Sequence, residues 1–427
     1  MPDFSPFRGT RYVPARLAGT VDDVLGAVVA PPYDVIDEPT RAMLEAAHPD
    51  NVVRLILPRA EGADRYQQAA TTLTGWQARG VVADDDAPAF YRYRMEVPAT
   101  TSHPARHTMG VVGALGLGGP GTGPGDHDSA LPHEHTMARA KSDRLDLLRA
   151  TRTNLDPIWC LSGATGLSRL LGTADAEPAD AGDVRACVDP DGVRHTLTAL
   201  WGAEVHRAIA EAVAAAPVMI ADGHHRYETA CAYRDERALM SRIDDPGAGA
   251  IMSLVVELTD DELAVAPIHR VVTGGPADVR AALDAAFVVH DAGPSSPSGV
   301  AALRQRIEGR ADLGLVDKQG LAVLEPRPDI VAVALGTEPE PLRAVPATLF
   351  ETVVRPALPG ADITYRDDAT AVTGLVADGA ADAAVLLGPV TVDQIRAAAA
   401  AGLRMPPKTS FFVPKPRTGL VLRRLDA

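Results

Sequence analysis

Lysine is nearly absent from this chain of 427 residues, occurring only at Lys141, Lys318, Lys408 and Lys415, so arginine supplies almost all of the positive charge. Acid outweighs base, 56 Asp and Glu against 41 Lys and Arg, for a formal net charge of −15. That balance argues against extended contact with nucleic acid, whose phosphates demand a strongly basic face. Cysteine is equally sparse. Cys160, Cys187 and Cys231 stand singly without Cys-x-x-Cys spacing, which excludes a disulfide framework or a structural zinc site and predicts reduced, buried thiols. No apolar run approaches the roughly 18 to 20 residues of a membrane span. The start Met1-Pro2-Asp3-Phe4 has neither the basic nor the apolar region of a signal peptide. The expectation is a cytoplasmic protein with no membrane and no nucleic-acid partner. No internal repeat of solenoid period occurs, and the glycine-dense stretch from Gly118 to Ser129 lacks the Gly-Lys-Ser/Thr ending of a P-loop, so it reads as a hairpin or lid.

What is present is a 46% hydrophobic, 23% charged composition, enough for two or three domains. Elements of both kinds alternate, predicting a mixed α/β (α+β) chain. Helices are predicted near Thr40 to Ala47 and over Arg65 to Arg79, Thr136 to Thr151, Val205 to Ala215 and Asp393 to Ala401. Strands are predicted over Val52 to Leu57, Phe90 to Val97 paired with Met109 to Leu117, Ala250 to Glu257, and Leu263 to Ile268 ending at His269-Arg270. Gly274-Gly275-Pro276 suggests the main boundary: a core over 1–273, a smaller α/β domain over 274–404, and a basic tail over 405–427 that packs back on the core. Within that tail Ser410 to Val413 and Thr418 to Leu422 read as strands, because disordered ends rarely carry a pair such as Phe411-Phe412.

The most informative stretch is Ala221-Asp222-Gly223-His224-His225-Arg226-Tyr227. Pro217 to Ile220 is a short apolar run, Asp222-Gly223 a turn pair, and Tyr227 to Met240 a helix without Gly or Pro. A turn of that kind aims backbone N–H groups and the positive helix end at one point. His224, His225 and Arg226 would project there, adding a planar fork of donors and two groups that titrate near neutrality. The blander alternative is a polar helix cap with an ordinary Arg226 ion pair. His133-Glu134-His135 lacks the one-turn spacing of a zinc-protease motif, leaving Glu134 as a helix cap, a general base or a metal-binding carboxylate. Lys141, Lys408 and Lys415 stand where a compact ammonium would meet phosphate as a point charge.

The pattern Gly-x-His-Arg-Tyr-x-x-Ala after an apolar strand resembles the signature of the ParB/sulfiredoxin superfamily, and Asp222-Gly223-His224-His225-Arg226 is most similar to its free serine kinase. Sulfiredoxin carries cysteine where this chain has His224, which sets sulfinic-acid repair aside. A wider resemblance, to the DUF1015 family of proteins of unknown function, rests on Pro31-Pro32-Tyr33-Asp34-Val35-Ile36, Asn51-Val52-Val53-Arg54-Leu55, Pro132-His133-Glu134-His135-Thr136, Lys141-Ser142-Asp143-Arg144, Pro267-Ile268-His269-Arg270 and Met405 to Lys415. The resemblances imply a ParB/sulfiredoxin-like core and phosphotransfer or phosphate-ester chemistry on a small amino-acid-like substrate, serine or phosphoserine first. The implied catalytic set is Asp222, His224, His225, Glu134 and Asp34; the implied phosphate-binding set is Gly223, Arg226, Lys141, Arg144 and Lys408. ATP or ADP would be the nucleotide, with Mg²⁺ alongside it. The rival reading is a nucleotide-binding regulatory module of the same fold without turnover, and kinase and phosphatase stay open.

Overall fold

The computed structural model describes residues 1–17, 24–99, 105–119, 130–132, 139–173, 184–240, 245–259 and 263–426. Glu134 and its flanking histidines lie outside the described residues. The chain is mixed α/β and divides into two compact units, the first comprising Met1–Pro132, Thr136–Leu263 and Pro414–Ala427, the second Ala264–Val413. Gly274-Gly275-Pro276 falls inside the second unit.

The first unit is organised by one large sheet. Its main strands are β1 (Phe90–Val97), β2 (Arg106–Gly116), β3 (Ile158–Ser162), β4 (Arg194–Leu200), β5 (Val218–Asp222) and β6 (Ala250–Glu257), in spatial order β5-β3-β6-β2-β1-β4. Short strands Ala130–Pro132 and Val184–Val188 extend its two ends. Most pairings are antiparallel, but β6 runs parallel to β3 and β5 parallel to Ala130–Pro132. Being central and covered on both faces, β6 reads as a near-continuous apolar run, Ile251 to Val256, interrupted only by Ser253.

Two helices position the residues of interest. Helix α1 (Arg139–Thr151) packs beside α2 (His224–Leu239), and Arg149 of α1 is ion-paired with Glu236 of α2. Tyr227, Ala230 and Cys231, one stripe at helical spacing, pack with Ile158, Cys160, Val218 and Ile220 in the core between α2 and the sheet. Tyr233 faces another way, against Leu148, Ala248 and Leu425. All three cysteines are buried thiols outside any disulfide, and burial pushes the Cys160 thiol up to about 12. Among the described residues no helix is long and apolar enough to cross a membrane.

Several elements depart from the sequence reading. The apolar stretch expected as a strand over Val52 to Leu57 is a helical turn, Val53–Ile56. Asn51 decides it: its Oδ1 accepts from Val53 N–H at 2.8 Å while its Nδ2 donates to the carbonyls of Ala27 and Val29, and a short apolar run has no periodicity to resist that cap. His269-Arg270 does not end a strand but begins one. In the tail, Phe411–Val413 pairs with Ala264–Ala266 as a strand, whereas the later strand is Leu422–Arg424, set between Gly9–Tyr12 and Thr153–Asn154.

The second unit holds a wholly antiparallel sheet of β7 (His269–Thr273), β8 (Phe287–Gly293), β9 (Leu313–Asp317), β10 (Gly320–Pro326), β11 (Asp362–Arg366) and β12 (Ala383–Leu386), in order β8-β10-β9-β12-β7-β11. One face is covered by α3 (Pro297–Ile307) and α4 (Ala369–Ala377), whose starts are written in sequence by the capping residues Ser296 and Asp368. Arg270 is fully buried, its Nη1 donating to the carbonyls of Ile268 at 2.5 Å and Lys408 at 2.9 Å, with the rings of Phe350 and Tyr365 within 5.5 Å. His269 is equally buried; its Nδ1 accepts from Leu387 N–H at 3.2 Å, which leaves the proton on Nε2.

Two outcomes are expected. A chain ending at Arg417 loses the buried Leu420, Val421, Leu422 and Leu425 and a strand between two others; at about 1.5 to 3 kcal/mol per side chain the loss rivals the whole stability of a domain, so thermal unfolding should show no cooperative transition. The second concerns acid. Burial, reinforced by Arg304 and Arg270, lowers His269 to about 4. An unfolded histidine takes its proton near pH 6.5, so the unfolded state binds more protons between those values, and stability falls as pH drops through that window, by roughly 3 kcal/mol in all. Urea unfolding of wild type and His269→Gln between pH 7.5 and 4.5 should show a shallower slope in the variant.

Candidate functional site

The site is built where β5 passes into α2. Pairing of β5 with β3 shifts register between Ile220 and Asp222, so Asp222 sits opposite Trp159, where Ala221 would otherwise be. Such a bulge re-aims the last side chain of a strand. Gly223 then turns the chain with φ +91°, and a Cβ there would lie 2.8 Å from Ile158 Cγ2 and 3.0 Å from the Arg226 guanidinium. Only glycine meets both demands. The helix begins directly afterwards, at His224 and not at Tyr227, so His224, His225 and Arg226 form its first turn.

Arg226 holds the turn together. Its Nη1 donates to Asp156 Oδ2 at 2.5 Å and to the Pro157 carbonyl at 2.6 Å, and its Nη2 donates to Asp222 Oδ2 at 2.8 Å. The other oxygen of Asp222, Oδ1, accepts from Lys415 Nζ at 2.7 Å. All four side chains are largely buried, Asp222 being the most open at 19%. Burial alone would raise the Asp222 carboxyl, but Lys415 and then Arg226 hold it well below the usual carboxylate range. At Asp156 the balance tips the other way: burial wins over the pull of Arg226, and its pKa is raised. Burial likewise works against the charge of Arg226, and Asp156 with Asp222 more than restores it.

A second layer comes from far along the chain. Arg144 of α1 lies over the Tyr33 ring at 4.3 Å and donates from Nη1 to the Ile56 carbonyl at 2.9 Å. Its Nε donates to Asp143 Oδ2 at 2.7 Å. Burial raises the Tyr33 phenol, with Arg226 and Arg144 opposing and Asp34 assisting. Asp34 is exposed, yet its charge is felt at both Arg226 and Asp156. A small cavity of about 50 Å³ opens beside these groups, lined by Arg144, Asp156, Arg226 and Thr229 with apolar neighbours such as Ile251.

Of the residues expected from sequence, Asp34, Arg144, Asp222, Gly223, His224 and Arg226 therefore gather at one end of α2, His224 acting on the Asp222 carboxyl through its charge. His225 belongs to the same turn and its carbonyl accepts from Thr229 Oγ1 at 2.7 Å. Arg226 was expected to offer its fork to a phosphate; that fork is engaged by two aspartates. Lys141 is on α1, with its side chain outside the described set, as is Glu134 entirely. Lys408 belongs to the second unit, where its backbone adopts φ +58° and its carbonyl holds Arg270. Asp156 and Tyr33 were not singled out as site residues, and Lys415, though noted as a candidate phosphate cation, was in neither implied set. Asp156 had no local signal beyond preceding a buried strand, whereas Lys415 was marked by the rarity of lysine. Among the described residues no three His, Cys, Asp or Glu side chains form a group able to hold a metal.

The family model described as a protein of unknown function, DUF1015, matches residues 4–347, and the chain belongs to that family. Solved structures with some similarity include a conserved hypothetical protein from Pyrococcus furiosus, 12% identical over 69% of this chain and 93% of that one, with a TM-score of 0.34. A free serine kinase in complex with AMP is 13% identical over 69% and 89%, TM-score 0.34. SbnI with a C-terminal truncation, from Staphylococcus aureus, is 12% identical over 72% and 85%, TM-score 0.38. No curated protein matches the chain in sequence.

The turn itself yields a prediction. Gly223→Ala should lower stability by about 1 to 2 kcal/mol for the left-handed backbone alone, and by more because the methyl meets Ile158 and Arg226. Chemical denaturation checks this, and a variant within 0.5 kcal/mol of wild type would mean that the turn is not tight.

Proposed function

We propose that this member of the DUF1015 family is an enzyme of phosphoryl chemistry, a kinase or phosphatase for a small amino-acid-like substrate, with its site at the first turn of α2. The observation that carries the reading is the convergence of Asp34, Arg144, Asp156, Asp222 and Arg226, from four separated stretches of chain, at the N-terminal end of a 16-residue helix. Phosphoryl transfer asks for fixed positive charge around the phosphoryl oxygens and a base for the attacking hydroxyl or water, and little covalent work from the protein. The helix end and Arg144 supply charge. Arg226 is a positioning residue that fixes Asp156 and Asp222; Asp222, its two oxygens taken by Arg226 and Lys415, orders those cations, and the exposed Asp34 is the candidate base.

His224 and His225 are the groups able to exchange a proton near neutrality. Serine or phosphoserine is the first substrate to test, and ATP or ADP the first donor, as the sequence resemblance to free serine kinase implies; solved complexes of that protein hold AMP or ADP. If a nucleotide is used, the exposed Asp34 carboxylate suits a Mg²⁺ that arrives with its phosphates, the ion supplying charge neutralisation. A role for Lys141, carried on α1, at the same site is part of the proposal. The second reading, a nucleotide-binding module without turnover, draws on one observation: the Arg226 fork is already engaged by carboxylates.

Steady-state turnover of phosphoserine, and of serine with ATP or ADP, separates the two. Wild type should turn over one of them. Arg226→Lys should lose nearly as much rate as Arg226→Ala, since one ammonium cannot span Asp156, the Pro157 carbonyl and Asp222 together. His225→Gln should keep the melting temperature and lose rate. Saturable nucleotide binding with every substrate inert would decide for the module; full activity in Arg226→Lys would remove Arg226 from the mechanism.

A further inference from the structure

We infer that Lys415 is a ligand-contacting residue of this site, the point charge that meets the phosphate of a phosphorylated small molecule, delivered there by a buried anchor two residues further along the chain. The inference rests on the phosphoryl reading above and extends it to a residue beyond the matched family segment, which ends at 347.

The anchor is a closed ring of hydrogen bonds. Arg417 Nη2 is paired with Asp189 Oδ2 at 2.5 Å, and the Arg417 backbone N–H donates to Tyr93 Oη at 2.8 Å. Tyr93 Oη lies 2.8 Å from His195 Nδ1, and His195 Nε2 lies 3.1 Å from Asp189 Oδ2. The proton positions follow from the acceptors. Asp189 can only accept, so His195 donates from Nε2; its Nδ1 then accepts from the Tyr93 hydroxyl, whose oxygen is left to accept from Arg417. The four contacts of the ring are each donor to acceptor with His195 neutral, the form burial favours. Tyr93 and His195 are essentially inaccessible, and Asp189 and Arg417 nearly so. Thr418 follows, its N–H and carbonyl paired with Ala30.

The ring fixes the backbone two residues from Lys415, and the Lys415 ammonium reaches one oxygen of Asp222, whose other oxygen holds Arg226. The side chain is 12% exposed, so much of the ordering entropy of a long lysine, about 1.5 to 2 kcal/mol, is already met before a ligand arrives. Residue type points the same way. This chain uses arginine for nearly every structural cation, including Arg226, Arg270, Arg417 and Arg423, all buried among carboxylates or carbonyls. A lysine kept here supplies a compact, rotatable donor set where a planar fork would demand one fixed geometry.

The test uses the full chain and the scarcity of lysine, since four sites can be followed separately by mass spectrometry. Wild type is acetylated with a limiting amine-selective reagent, with and without saturating phosphoserine, AMP, ADP or inorganic phosphate, while binding of each probe is measured by thermal shift. A bound probe should slow modification of Lys415 at least fivefold and leave Lys318, 72% exposed, unchanged. Lys415→Ala should weaken the same probe on the order of tenfold to hundredfold, with Lys415→Arg in between. If a probe binds and Lys415 is not shielded, or is shielded while Lys415→Ala binds equally well, the inference is overturned and the phosphoryl reading stands. If no probe binds and no substrate turns over, both fall. Should Lys415→Ala fail to fold, the shielding experiment on wild type decides.

Discussion

The carboxylate of Asp222 is the point on which the described site depends. One oxygen receives Arg226 and the other Lys415, residues 193 positions from Asp222 in the latter case, and both contacts are largely buried. A carboxylate in that position is held ionised by its two cations, against burial that favours its neutral form. The arrangement is stable only as a set. Removing one partner of a buried pair leaves an uncompensated charge, which typically costs about 3 to 5 kcal/mol. The bulge that re-aims Asp222, the left-handed Gly223 and the course of the tail are therefore mutually dependent, each having to place a charge within hydrogen-bond distance of the same two oxygens.

Buried arginine recurs as the device that ties distant backbone together. Arg270 gathers the carbonyls of Ile268 and Lys408, and Arg423 bonds Asn154 Oδ1 with the carbonyls of Ala250 and Gly247. Arg423 has no carboxylate there, and burial lowers its pKa to about 10, still charged at neutral pH. Several N–H donors on one rigid plane suit this task, because they satisfy carbonyls that no strand or helix reaches. The near-exclusion of lysine from the sequence thus has a structural counterpart in cations used as fixed connectors. Arg234 fits the pattern, donating to the Leu117 carbonyl at 2.5 Å.

Local signals were legible where one interaction type decided the outcome. Phe90 to Val97 forms a strand over the very residues expected. The Asp222-Gly223 turn and the helix after it were also legible, because a glycine before a Gly- and Pro-free stretch leaves few alternatives. Val53–Ile56 was not. Four apolar residues carry no period, and the deciding contact, Asn51 with Ala27 and Val29, spans more than twenty positions. Asp156 escaped for a related reason: nothing in Leu155-Asp156-Pro157 says that its partner is Arg226, 70 positions on.

The sequence by itself determined the residue types available to this protein: a net acidic charge balance, a strand-to-helix turn carrying two histidines and an arginine at Asp222 to Arg226, and a few lysines among many arginines. Those are properties of residue type and short spacing, which survive without knowledge of the fold. Only the tertiary structure decided which groups share the turn. Arg144, Asp156 and Lys415 joined it, and Arg226 took two aspartates as partners, because strand register, helix packing and the tail's anchor set distances between positions that no local pattern relates.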